Sequence, residues 1–190
     1  MGLRLNLLAI SVIPIILFAA AMLGVVTRQT ATLSAELGNL SEDRLVSDKQ
    51  TALTNYAELA ETAIRPLVKR QSNTAQSQQQ AKTVLNAMTF GEDGYFYVYD
   101  YAGNNLVHPR LSELVGKNLW DLQDPNGNFV IQGLIEQAKA GGGFHSYLWN
   151  KPSTGLEEPK IGFALGIDSW GWMLGTGLYL DDIRGEVDLV

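Results

Sequence analysis

Cysteine is absent from all 190 residues, and with it go disulfide staples, CxxC zinc sites, thiol nucleophiles, iron–sulfur clusters and covalently attached c-type haem. Histidine occurs only as His108 and His145, never as HExxH, so a catalytic zinc lacks its usual ligands. Basic residues are scarce, 14 Lys and Arg against 20 Asp and Glu, and the net charge of -6 argues against a nucleic-acid partner. No GxSxG nucleophile elbow is present. The glycine-rich stretches 141–143 and 175–177 lack the spacing and the following Lys-Ser/Thr of a phosphate loop. The acidic turn Asp124-Pro125-Asn126-Gly127-Asn128 fails as an EF-hand, because Phe129 and Ile135 stand where Gly and Glu are required. It reads instead as a turn feeding a helix N-cap. No enzyme activity, metal or cofactor is expected.

What is present begins with an apolar run. From Leu5 to Val26 the only polar residues are Asn6 and Ser11, with Arg4 and Arg28 just outside. At about 1.5 Å rise per residue this is roughly 33 Å of helix, enough to cross a hydrocarbon core of about 30 Å. Pro14 is tolerable there. A cleaved signal peptide ending near Ala19-Ala20-Ala21 competes with this reading, but the apolar residues continue to Val26. The sequence predicts a transmembrane anchor with a short cytoplasmic N-terminus over 1–28, and an exported remainder.

Residues 29–89 read as a helical stalk, in which Leu53, Tyr56, Leu59, Ala60, Ala63, Ile64, Leu67 and Val68 follow helical spacing. Pro66 is expected to kink it, and the glutamine-rich stretch 71–80 to hold a turn before a second helix. Leu33, Leu37 and Leu40 predict a parallel homodimer through the membrane-proximal part. After Phe90 the texture changes to strands and turns: 95–100, 106–109, 144–149, 161–167 and 172–180, with a helix over 128–140. The expected class is α+β, with a PAS-like antiparallel sheet over 90–183. Alternation places Tyr95, Tyr97 and Tyr99 on one face, aligns His145, Tyr147 and Trp149, and puts Lys160 in line with Gly162, Ala164 and Gly166. Such a row of small residues suits a cleft floor, or the close approach of a helix. Tyrosine, tryptophan, histidine, arginine and lysine with few carboxylates suit a small carboxylate, which must recover its hydration through charge-assisted hydrogen bonds. Its candidate charge partners are Arg110, Lys160 and a partly protonated His108.

The motifs Phe90-Gly91-Glu92-Asp93-Gly94-Tyr95-Phe96-Tyr97-Val98-Tyr99-Asp100, His108-Pro109, Gly116-Lys117-Asn118-Leu119, Tyr147-x-Trp149-x-Lys151-Pro152 and Trp170-Gly171-Trp172 to Asp181-Asp182-Ile183 resemble the single Cache domain. That family supplies the extracytoplasmic sensor of bacterial methyl-accepting chemotaxis receptors and of some sensor histidine kinases. The resemblance implies a long helix against a PAS-like sheet and a small organic acid as ligand, such as acetate, propionate, pyruvate or lactate. It maps the ligand site onto Tyr97, Tyr99, His108, Arg110, Trp120, Tyr147, Trp149 and Lys160. It further implies a membrane-bound homodimer, with 184–190 leading toward a second membrane helix and cytoplasmic signalling modules if the chain is a fragment. A histidine kinase sensor or a non-binding dimerisation module are the alternatives to a chemoreceptor.

Overall fold

The computed structural model describes residues 2–70 and 74–181, without the side chains of 2–17, 19–21, 26 and 31–43. The chain divides into two compact units, Met1–Arg44 and Leu45–Val190. The first is helical along its described backbone. Among the described residues no helix is long and apolar enough to cross a membrane. The anchor expected from Leu5 to Val26 falls mostly outside the described side chains, the side chains of the dimer positions Leu33, Leu37 and Leu40 fall wholly outside them, and the connection at 184–190 falls outside the described residues.

In the second unit, helix α1 (Gly2–Val68) buries Leu53, Ala57, Ala60 and Ile64 completely, at spacings that keep them on one stripe. Leu59, expected on that stripe, is 61% exposed, while Tyr56 is at its edge and stacks on Phe90. Pro66 falls in the last turn, where its missing N–H costs only the bond to the Thr62 carbonyl. Helix α2 (Thr74–Ala87) begins inside the polar stretch and turns Ser77, Ala81 and Leu85 inward at four-residue intervals.

A short hairpin, β1 (Thr89–Phe90) and β2 (Gly94–Tyr95), precedes a five-stranded sheet. Its strands are β3 (Tyr97–Asp100), β4 (Asn105–Val107), β5 (Gly143–Asn150), β6 (Glu157–Ile167) and β7 (Trp172–Tyr179). The spatial order is β4-β3-β7-β6-β5, and every neighbouring pair is antiparallel. Because β4 and β5 are opposite edges, the chain between them must cross the sheet, and helix α3 (Val130–Lys139) makes that crossing.

The alternation of residues separates two cores. Phe96, Val98, Val107, Trp172 and Leu174 pack with Ala60, Ile64, Ala81 and Leu85 from the first two helices. Tyr95, Tyr97, Tyr99, Tyr147, Ala164 and Met173 face the opposite way, against Val130, Ile131, Leu134, Ile135 and Ala138 of α3. Full burial of each large aliphatic side chain contributes roughly 1.5–3 kcal/mol, so α3 is held on the sheet mainly by its apolar face.

The loop before α3 is organised around Asp124. The Asp124 carboxylate accepts backbone N–H groups of Asn126, Asn128 and Leu148 and the Asn128 side-chain amide, all at 2.9 Å. Burial opposes its ionisation, but these donors together hold its pKa below the ordinary value. With Asn128 committed to Asp124, α3 starts at Val130 after Phe129, without the expected side-chain cap.

Candidate ligand site on the tyrosine face

Tyr95, Tyr97 and Tyr99 step along one face with ring centroids 6.1 and 6.3 Å apart, each pair edge to face. Between these rings and α3 lies a narrow cavity of about 10 Å³, room for about one water molecule as the side chains stand. His108, Tyr147 and Trp149 complete its aromatic wall, and Val130, Ile131 and Leu134 form the apolar lid.

Lys160 lies behind Tyr95 and is 1% exposed. Its Nζ donates to the Tyr95 hydroxyl at 2.9 Å and to the Tyr179 hydroxyl at 3.4 Å. The ammonium also stands 4.1 and 4.6 Å from the centres of those two rings. Burial lowers its pKa to about 7, opposed by the charge of Asp93. Room for the lysine stem comes from Gly177, where a Cβ would stand 2.7 Å from Lys160 Cε. Gly166 serves the other purpose foreseen for the small residues, since a Cβ there would meet the Ala138 carbonyl of α3 at 3.0 Å.

The hydroxyl protons can be followed one by one. Tyr179 donates to the Asn150 carbonyl at 2.7 Å. Tyr97 donates to the Thr176 carbonyl at 3.2 Å, which makes Tyr147 the donor in the 3.1 Å contact between the Tyr147 and Tyr97 hydroxyls. Tyr95 accepts from Lys160, and Tyr179 and Trp149 are its other polar side-chain neighbours. Burial pushes the pKa values of Tyr95, Tyr97, Tyr99 and Tyr147 up, so all four are neutral donors at physiological pH.

His108 is neutral rather than a partial cation. Burial, reinforced by Lys160, lowers its pKa to about 3. The Leu111 N–H donates to Nδ1 at 3.1 Å, which assigns the ring proton to Nε2. Its ring stacks with Trp149 at 6.0 Å.

Of the positions mapped from sequence, Tyr97, Tyr99, His108, Tyr147 and Trp149 line the cavity, and Lys160 backs it. Arg110 does not reach it. Its Nη2 donates to the Glu92 carbonyl at 2.9 Å, and it lines an outer depression shared with Tyr95, Leu111, Asn150 and Pro152. Trp120 packs at the border of the same core, partly buried, with its carbonyl taken by Gln132. Tyr95, Val130, Ile131 and Leu134 are cavity residues that the mapping omitted. The alternation that placed Tyr95 beside Tyr97 carried the signal for the first; the helix residues had only a shared face, with no indication of what it covers.

The family model described as Single Cache domain 2 matches residues 45–190. The chain belongs to this family. Its Cache domain thus begins where the second compact unit does. The sensor histidine kinase MctS of Rhizobium johnstonii is 41% identical over 187 residues, 98% of this chain, which spans only 41% of the kinase's length. A methyl-accepting chemotaxis protein of Vibrio parahaemolyticus superposes with a TM-score of 0.71 at 42% identity, over 75% of this chain and 95% of that one. A Cache chemosensory domain solved for its carboxylic acid recognition gives a TM-score of 0.66 at 25% identity, over 72% of this chain and 97% of that one. Cache relatives are therefore sensor domains of both chemotaxis receptors and histidine kinases.

Proposed function

We propose that this chain is the extracytoplasmic sensing portion of a membrane-anchored receptor, and that the tyrosine-lined cavity binds a short monocarboxylate without transforming it. The observation that carries this reading is an excess of donors over acceptors. The Lys160 ammonium behind Tyr95 and the Nε2–H of His108, whose ring is 5.0 Å from that of Tyr95, stand at one end of the cavity, and no carboxylate is among its lining residues. An acceptor-only anion satisfies such a set; a cation or a neutral amine does not. Aromatic walls keep the cavity small, which favours acids of the size of acetate, propionate, pyruvate or lactate over larger ones, with the lining side chains moving apart to admit them. Carboxylic acid recognition by a Cache neighbour supports the same ligand class. The apolar run Leu5–Val26 supports the membrane anchor.

Ligand binding signals only if it favours one arrangement of the receptor over another. Chemotaxis is one output. A histidine kinase is the second, favoured by the likeness to MctS along nearly the whole chain. Calorimetry of the detergent-solubilised chain against C2 to C4 mono- and dicarboxylates tests the binding reading. Saturable heat with a monocarboxylate is expected; no heat from any acid, with no thermal shift, overturns it in favour of a dimerisation module.

A further inference from the structure

Asn105 is fully buried on edge strand β4, and neither its Nδ2 nor its Oδ1 has a hydrogen-bond partner among the described residues. Its backbone is satisfied, the N–H by the Lys117 carbonyl at 2.9 Å and the carbonyl by the Gly116 N–H at 2.8 Å. Only the side-chain amide is left over. Buried amides are ordinarily paired, so an unpaired one needs a reason.

The strand register supplies its direction. Val98 pairs with Val107, and an uninterrupted antiparallel ladder sets Leu106 opposite Tyr99. The register instead shifts by one residue, and Tyr99 pairs with Asn105. A one-residue shift exchanges the side chain presented to a face, and bulges re-aim side chains in this way beside binding sites. Here the shift sets an amide, in place of a leucine, beside Tyr99, whose ring lines the cavity, while Asn105 itself is one residue removed from the lining. Tyr99 is itself buried, and the Asn105 amide stands close enough to its hydroxyl to oppose the upward pull of burial on its pKa, though short of full hydrogen-bond geometry.

The aromatic ladder fixes the distance from the charged end. Tyr95, which carries Lys160, and Tyr99, which carries Asn105, are separated by the Tyr97 ring, with steps of 6.1 and 6.3 Å. We propose that Asn105, together with the Tyr99 hydroxyl, determines specificity by receiving a polar group borne on the part of the ligand remote from its carboxylate. This rests on the carboxylate reading and narrows it, from short acids in general to those substituted at carbon 3 or beyond. An amide offers one donor group and one acceptor, so a hydroxyl, which is both, matches it best, and a carbonyl is served by Nδ2. A plain alkyl acid leaves the amide unpaired, and sites built around a polar contact reject such analogues more strongly than apolar pockets reject an extra methylene.

The test uses the solubilised full chain and two matched pairs, propionate with 3-hydroxypropionate and butyrate with 3-hydroxybutyrate. Wild type is expected to bind the hydroxylated member of a pair roughly tenfold tighter or more. In Asn105→Leu the ratio is expected to fall to near one, with alkyl-acid affinity kept or improved. Tyr99→Phe, which removes a single oxygen, provides the same readout if Asn105→Leu does not fold, and is expected to reduce the ratio. Equal affinities for both members in wild type, or a hydroxyl preference unchanged in the variants, overturns the proposal while leaving carboxylate binding intact. Failure of all four acids, along with acetate, pyruvate and lactate, overturns the carboxylate reading itself.

Discussion

Lys160 is a charge placed where water does not reach, and its neighbours are neutral tyrosines. With an ordinary pKa of 10.5 and a folded-state value of about 7, it binds fewer protons folded than unfolded between those two values. Stability of the unliganded protein is therefore expected to rise with pH from about 7 toward 10.5, measured as the midpoint of thermal unfolding. A bound carboxylate restores the charged form, so binding above pH 7 takes up a proton and weakens as pH rises. Calorimetry at pH 8 in phosphate and in Tris should give different heats; identical heats mean that Lys160 does not meet the anion. Lys160→Met is expected to lower affinity roughly ten- to a hundredfold, the cost of a lost charge-assisted hydrogen bond, while keeping or raising stability. Arg110 belongs to a different step. On a chain of net charge -6, an exposed guanidinium beside Tyr95 attracts anions to an outer depression. Arg110→Ala should slow association about two- to tenfold at low salt and leave dissociation unchanged, as read by stopped-flow fluorescence. Side-chain type revealed the cations in the sequence, and alternation aligned Lys160 with the small residues. Burial was not legible, because a lysine ordinarily signals a solvated position. The neutrality of His108 likewise depends on its burial and on Lys160, which comes from a strand distant in sequence.

Helix α3 is the element that turns a sheet face into an enclosed cavity. Its apolar face touches the tyrosines and sets the room left for a ligand tail. Leu134→Ala is expected to cost about 2–5 kcal/mol of stability, seen in denaturant unfolding, and to shift preference toward acids one or two carbons longer. An unchanged chain-length profile in a folded variant places the tail elsewhere. The five main strands and α3 were legible because each carries a period, two for the strands and 3.6 for the helix. Hairpin β1–β2 was not, since two-residue strands have no period to read. Nor was the shift between Val98 and Tyr99, because no glycine or proline marks it in the sequence. The positions carried over by resemblance fared according to the element that bears them. Those on β3 and β5 reached the cavity, as did His108 directly after β4, whereas Arg110 and Trp120 sit farther along the irregular chain between β4 and α3, where no ladder fixes direction.

Across the whole molecule, the Cache match and the second compact unit share a starting point at Leu45. The preceding apolar run is expected to keep the expressed chain in the inner-membrane fraction. Amino-terminal sequencing of a mature protein that begins near Met22 counts against an anchor and for a cleaved leader. The sheet's strand order has a further consequence. Tyr97 belongs to β3 and Lys160 to β6, yet the two strands do not touch, for β7 is inserted between them and hydrogen-bonded to both. Whatever bridges the tyrosine ladder and the lysine therefore straddles β7 like a clamp. Beyond Tyr179 that strand hands the chain to Asp181, which Lys151 grips at 2.7 Å. The seam of the proposed binding site and the segment that carries Asp181 are one continuous piece of backbone, so a ligand that tightens the seam is expected to load the Lys151–Asp181 pair.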